Sequence, residues 1–432
     1  NKSNNVVHGK RLYKQMALEV AVRNPERYID FLITLNKFDG KILDDKCILD
    51  IYVQLYIDRV ITANGLSDSN LNSSYLKNYI ISNNKHNNEW GFPTGYQAAF
   101  TRYIKTLSEF GFIYAQYNKE LMISPVGKAI ISNRITLSEG FALQSMRFWR
   151  KSPYRRVLND FNYFEFIIDV LLELNSRGKK LSYVQFLVSL FTDNGDVKEF
   201  LKELDNNKFG SDLDKAYKYV YNKYNQIDDD HAKVSKLETS FRDYGNTVFR
   251  VLQLTGFITV EYSGVMLLTI NNNRVDLYKK LKKEQLKLSE TAKEDELFYF
   301  QEVGSLTSTL ENLLVSFREK ENLSTSEYNK KIPNILDSYN LTKEDLKNYL
   351  VDVVNEKRDG RAFWFIQAPV KFELLLTLFL YTCYGDAFEY KPNFKCDDAG
   401  IPYSHAPGNI GDIEISNSYV FLLIEETIIR NK

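Results

Sequence analysis

Apolar positions along the chain follow a helical period first and a strand period after it. Pro25 opens a helical pattern through Tyr28, Phe31, Leu32 and Leu35, and Cys47 to Val60 gives a second apolar-periodic run. Asn64 to Asn88, rich in Ser and Asn, reads as a loop punctuated by Trp90-Gly91-Phe92-Pro93. From Tyr96 to Phe110 the positions Tyr96, Ala99, Phe100, Tyr103, Ile104 and Leu107 share one helix face. Gly111 stops this helix. Phe112-Ile113-Tyr114 and Leu121-Met122-Ile123 then read as two strands around a polar turn, Tyr117 to Glu120.

The pattern returns 145 positions later, laying Arg102-to-Ser124 over Thr247-to-Thr269. Leu107 meets Leu252, Gly111-Phe112-Ile113 meets Gly256-Phe257-Ile258, and Leu121-Met122-Ile123 meets Met266-Leu267-Leu268. Helix, glycine stop and hairpin is the layout of a winged helix, and its repetition predicts two such units. On the first helix Gln97, Thr101 and Lys105 are spaced four apart, with Arg102 beside them; Arg242, Asn246 and Arg250 are the equivalents on the second. These side-chain types suit readout of base edges in a major groove. The competing reading is an ordinary solvated helix face.

Between the units, Arg147-Phe148-Trp149-Arg150-Lys151-Ser152-Pro153-Tyr154-Arg155-Arg156 interleaves cations with aromatics. Arg147, Arg150, Lys151, Arg155 and Arg156 are read as contacts to DNA phosphates, and a basic connector with buried rings is the alternative. Net charge over the 432 residues is zero, but residues 98–159 hold ten Lys/Arg against Glu109, Glu120 and Glu139, so the basicity is local. Residues 276–297 are highly charged and read as an exposed helix or linker. The expected organisation is a first recognition domain over 1–145, a second over 146–275, a helical linker over 276–297 and a catalytic domain over 298–432, with Lys330 to Asp337 as a loop inside it.

No apolar run reaches the roughly 18 residues of a membrane helix; the longest, Phe372 to Cys383, is shorter and carries Glu373. The N-terminus shows no secretory pattern, and three scattered cysteines form neither a disulfide framework nor a metal-ligand spacing, which predicts a cytoplasmic protein. Four scattered histidines argue against a zinc site.

Chemistry concentrates near the C-terminus. Pro369 precedes a buried-type helix carrying Glu373; the stretch from Tyr390 to Gly411 is turn-rich, and Asp412-Ile413-Glu414-Ile415 and Tyr419 to Thr427 read as strands. The second is nearly all apolar and is expected to be buried in a sheet. Carboxylates in such a setting are costly unless compensated, and a hard divalent cation such as Mg²⁺ offsets that cost while activating water. The spacing Asp412-x₁₂-Glu425-x-Thr427 fits an Asp…(Asp/Glu)-x-Lys nuclease core, with Thr427 where the lysine usually stands. Among 56 acids that spacing is weak by itself.

Phe372-Glu373-Leu374-Leu375, Lys391-Pro392-Asn393, Ser404-His405-Ala406-Pro407-Gly408, Gly411-Asp412-Ile413-Glu414 and Ile424-Glu425-Glu426-Thr427 together resemble the AlwI-type family of restriction endonucleases, which includes type IIS and strand-nicking enzymes. The resemblance implies an α+β multidomain fold: a mainly helical N-terminal region with winged-helix DNA-binding units, then an α/β PD-(D/E)XK-like nuclease domain. Carried over, Asp412 and Glu425 become the metal-binding carboxylates, and Glu373 completes the acidic cluster. Glu426 alternates to the other face of the strand; Thr427 shares the face of Glu425 and would orient a water or contact phosphate. His405 would approach the scissile phosphate or, beside Pro407 and Gly408, shape a loop, and the second role is preferred. Because the family pattern usually runs on into further helices, the nuclease domain is expected to be incomplete at Lys432.

The implied function is a prokaryotic, cytoplasmic, Mg²⁺-dependent endonuclease cutting or nicking double-stranded DNA near an asymmetric site. A second nuclease domain, by dimerisation or from a partner subunit, would be needed to cut both strands. The alternative is a catalytically inactive winged-helix DNA-binding regulator or subunit. An RNA substrate fits less well, since paired winged helices suit B-form grooves better than the narrow groove of A-form RNA.

Overall fold

The computed structural model describes residues 6–7, 10–11, 15–63, 66–84, 95–155, 157–225, 240–284, 286–318, 320, 323–355, 357, 363–406 and 411–425. Helices dominate, with small antiparallel sheets between them, so the protein is α+β.

The first unit runs α1 (Tyr28–Asn36), α2 (Asp45–Ile57), α3 (Gly95–Glu109), β1 (Ile113–Tyr114) and β2 (Met122–Ile123). Asp44 starts α2 by accepting the Cys47 amide at 2.8 Å, the usual service of an Asp N-cap. The chain between α1 and α2 lies along the second arm of the hairpin, where Gly40 N–H donates to Leu121 O at 2.8 Å and Leu43 N–H to Lys119 O at 2.8 Å.

The second unit repeats this order with α4 (Tyr163–Ser176), β3 (Leu181–Ser182), α5 (Tyr183–Ser189), α6 (Gly245–Leu254), β4 (Ile258–Tyr262) and β5 (Met266–Ile270). Ser182 caps α5, and β3 pairs with the second arm of the hairpin to give the order β3-β5-β4. The repeat therefore reaches upstream of the segment that the sequence match covers, into two leading helices whose connection runs along the hairpin's second arm, as a strand in the second unit and an isolated bridge, Ile42 to Glu120, in the first. A continuous apolar core joins the units, with the Phe110 ring 4.7 Å from Phe148 and 5.8 Å from Phe164.

Three sequence expectations are corrected here. The Ser- and Asn-rich stretch contains a helix, Ser73–Ser82, capped by Asn72 and seated through Leu76 and Ile80, one helical turn apart; Trp90 to Pro93 lie outside the described residues. Residues 276–297 are not an exposed linker, because Leu277, Tyr278, Leu281 and Ala292 are buried and Tyr278 donates to Asp169 at 2.6 Å. The expected loop at 330–337 holds the helix Ile332–Ser338, anchored by buried Ile332 and Ile335.

The C-terminal part comprises α7 (Ala368–Tyr384), β6 (Glu389–Pro392), β7 (Lys395–Cys396), β8 (Pro402–Ser404), β9 (Ile413–Ser416) and β10 (Phe421–Ile424). β10, β9 and β6 form one antiparallel sheet in that order, and α7 packs over β6 and β8. The expectation that the last apolar strand is buried fails: Phe421 is 67% and Leu423 46% exposed. An apolar run signals burial only where both faces are covered. Among the described residues β10 is the outermost strand, and α7 packs on β6 at the other edge of the sheet, so Leu422 on the second face is exposed as well.

Candidate active site

Two elements bring the acids together. α7 begins at Gln367-Ala368-Pro369, and its inner face carries Glu373, 5% exposed, whose Oε2 atom is buried with no hydrogen-bond partner among the described residues. In the sheet, Ile413 lies opposite Ile424 on one side and Pro392 on the other. Main-chain bonds continue one residue further, with Asp412 N–H donating to Ile424 O at 3.0 Å and Asn393 N–H to Asp412 O at 2.8 Å. Tyr390, Ile413 and Ile415 fill the buried face, so alternation places Lys391, Asn393, Asp412, Glu414 and Glu425 on the other. Asn393 Nδ2 donates to Glu414 Oε1 at 3.2 Å, and Lys391 Nζ stands 3.8 Å from Glu414 Oε2.

The electrostatics are those of a crowded acidic site. Burial, then the charges of Asp412 and Glu26, push the Glu373 carboxyl up to about 7, against the opposing pull of His405. Burial alone would lower the His405 imidazole, but its pairing with Glu26 and the charges of Glu373 and Asp412 carry it above its ordinary value. His405 Nε2 lies 2.8 Å from Glu26 Oε2 and 2.9 Å from Gln367 Oε1.

Glu373 and Asp412 are thus neighbours, while Glu425 is exposed at the sheet edge. Among the described residues no three His, Cys, Asp or Glu side chains converge as a ready-made metal cage. Glu426, Thr427, Pro407 and Gly408 lie outside the described residues.

The residues read as DNA contacts divide by environment. Gln97 is 1% exposed and donates to Asp45 of α2, and Thr101 donates back to the Gln97 carbonyl at 3.0 Å. Arg147 is buried and donates to Val303 O at 2.8 Å and Ser305 O at 2.5 Å. Arg150, 1% exposed, donates to Thr192 O at 3.2 Å and sits over the Phe161 ring. Arg155 pairs with Glu109 at 2.8 Å and also donates to Ala17 O. Arg250 bonds Asn246 at 2.8 Å and Trp364 O at 2.5 Å. Gln97, Arg147, Arg150, Arg155 and Arg250 thus hold elements together, while Thr101 and Asn246 bond within their own helices.

Arg102, Lys105 and Lys151 are half-buried and Arg242 is exposed; Arg156 lies outside the described residues. Acids from elsewhere in the chain also meet the local basic surplus, with Arg102 against Glu19, Lys128 against Asp39 and Arg134 against Glu311.

Sequence reasoning missed Glu26, whose neighbourhood with His405 is purely tertiary and leaves no local signal. It quoted Lys391 and Glu414 within motifs but gave them no role, although their two-residue alternation with Asn393 and Asp412 was there to be read.

Fold and site define a class: an α+β enzyme in which two helix–hairpin units precede a buried Glu373 with a half-buried Asp412 beside it. The chain belongs to the AlwI restriction endonuclease family, whose model matches residues 108–432. That membership makes it a site-specific DNA endonuclease, with DNA as its substrate. No curated protein matches the chain. The family match starts at the end of α3, so α1, α2 and nearly all of α3 precede it. No helix among the described residues is long and apolar enough to cross a membrane.

Proposed function

We propose that the protein hydrolyses DNA phosphodiester bonds with a divalent cation, Mg²⁺, held by Glu373, Asp412 and Glu425, near an asymmetric sequence read by its helix–hairpin units. The observation that carries this is the orphaned, buried Glu373 Oε2 beside Asp412. A partnerless carboxylate oxygen in a buried site is costly, and a hard cation is the partner that satisfies it and relieves the repulsion from Asp412. Bound there, the cation would supply an activated water and neutralise charge developing on the phosphate.

The chain's own residues do the rest. Glu373, fixed on α7 and buried, and Asp412, half-buried and fixed by main-chain bonds to both neighbouring strands, supply the first two carboxylates. Glu425 carries the acidic face to the exposed edge of the sheet. The two units would act as winged helices; Thr101, Arg102, Lys105, Lys151 and Arg242 are accessible enough to meet DNA, Gln97, Arg147 and Arg150 are buried, and Arg155, Asn246 and Arg250 are half-buried and tied up in bonds within the chain. One such site cuts one strand, so a double-strand cut requires a second nuclease domain through dimerisation or a partner subunit. Type IIS-like cleavage or nicking fits this division between reading and cutting.

The test is incubation with supercoiled plasmids of varied sequence, in Mg²⁺ or in EDTA, with the ends mapped. Discrete Mg²⁺-dependent ends at a fixed offset from one motif support the proposal. Binding without cleavage in Mg²⁺ or Mn²⁺ overturns it and leaves a DNA-binding regulator or subunit.

A further inference from the structure

The contact between Glu26 and His405 joins residues 379 positions apart and lies against the acidic pair. Glu26 belongs to the short turn Pro25–Arg27, well before the family match begins at residue 108. That turn is firmly seated: Pro25 is buried, and Arg27 donates to Val60 O at 2.5 Å. Between it and Gln367, Val370 and Tyr403 runs a crevice of about 10 Å³, room for about one water.

His405 has two neighbours at hydrogen-bonding distance of the same nitrogen, Glu26 Oε2 at 2.8 Å and Gln367 Oε1 at 2.9 Å. Gln367 is the residue from which α7 starts, and α7 carries Glu373. The imidazole therefore stands between the N-terminal turn, at ion-pair distance from Glu26, and the start of the helix that holds Glu373, through its hydrogen bond with Gln367.

We infer that Glu26 is a positioning residue for the endonuclease site: it holds the His405 side chain, and so keeps Glu373 and Asp412 available to a divalent cation. This rests on the proposed reading of those two carboxylates. Without Glu26 the imidazole is free to turn toward Glu373 on the helix that Gln367 starts, and in pairing with that carboxylate it competes with the cation. The partner of a partner commonly shifts metal affinity by about 10–100-fold when removed. A consequence is that a segment outside the family match, on the same unit as α1 to α3, supports the catalytic centre directly.

The test uses the full chain and Mn²⁺ as probe, with binding followed by electron paramagnetic resonance without DNA, and with DNA affinity and cleavage measured separately. Glu26→Gln should raise the Mn²⁺ dissociation constant about tenfold and leave DNA affinity unchanged. Adding His405→Gln to Glu26→Gln should restore much of the lost Mn²⁺ affinity, because the competing imidazole is gone; a merely structural Glu26 predicts no such recovery. Wild-type-like Mn²⁺ affinity in a folded Glu26→Gln protein, or absence of recovery in the double variant, overturns the inference. Wild-type protein that neither binds Mn²⁺ nor cuts DNA overturns the proposed function as well, so the two failures are distinguishable.

Discussion

Gly111 and Gly256, 145 residues apart, adopt the same left-handed backbone, with φ of +71° and +72°, each between a helix of its unit and the hairpin that follows. Each is also closed in by a later segment. A Cβ on Gly111 would stand 2.7 Å from Val303 Cγ1, and one on Gly256 would stand 2.8 Å from the Tyr403 ring. Alanine at either position meets both a strained φ, costing roughly 1–2 kcal/mol, and overpacking of about 1–3 kcal/mol. Gly111→Ala and Gly256→Ala should each lower the urea midpoint with the slope of the transition unchanged. An unaltered midpoint would mean that the turns relax freely.

Arg147 and Arg242 should separate structure from DNA contact. Burial lowers the Arg147 guanidinium to about 10, and its donors serve the carbonyls of Val303 and Ser305. Arg147→Met should destabilise the fold by about 2–3 kcal/mol, the scale for losing charge-assisted hydrogen bonds. DNA affinity of the folded fraction should keep its salt dependence. Arg242→Ala should reduce the salt slope of DNA binding by about one. The opposite pattern, with Arg147 altering the salt slope, would return the buried arginine to the interface.

How much of this was legible in the chain depended on whether the signal was local. The repeat was readable because helix period, glycine and hairpin alternation recur together around Gly111 and Gly256. The Arg147-to-Arg155 segment was ambiguous, because cations among aromatics look the same whether they face phosphate or line a domain contact; the structure buries Arg147 and Arg150. The β10 run from Phe421 to Ile424 carries no mark that distinguishes a covered strand from an edge. Glu373 and Asp412 were found through motifs, but Glu26 becomes visible only once the N-terminal turn is folded against His405.

Stability should respond to pH through Glu373. Its carboxyl is raised from 4.5 to about 7, so the folded state holds the proton more tightly than the unfolded chain. Without a cation, its contribution to stability is therefore greatest below the unfolded value and is lost as pH rises through the folded one. A divalent cation binds the ionised form and should raise the Tm more at about pH 8 than at about pH 6. Glu373→Gln should abolish that pH-dependent share of the Mg²⁺ effect and suppress cleavage while DNA binding persists. An equal Mg²⁺ shift at both pH values, in the parental protein, would remove Glu373 from the cation site.

Lys391 is the cation expected to act beside these acids. Thr427 stands at the spacing where a nuclease core of this kind usually places lysine, and a hydroxyl cannot supply positive charge. Lys391 projects from β6 on the face shared by Asp412, opposite Glu414 across the ladder. Its ammonium is half-buried and 3.8 Å from Glu414 Oε2, a loose pair that leaves its donors able to turn toward an incoming phosphate. Electrostatic stabilisation of developing charge by one aimed donor is commonly worth about 10²–10³ in kcat. Lys391→Ala should therefore lower the single-turnover cleavage rate by about that factor at saturating Mg²⁺, with Mn²⁺ affinity and DNA affinity unchanged. Lys391→Arg should recover part of the rate, since it keeps the charge but not the geometry. A drop in Mn²⁺ affinity instead would show that Lys391 supports Glu414 and the sheet, and an unchanged rate would show that the site works without a lysine on this face.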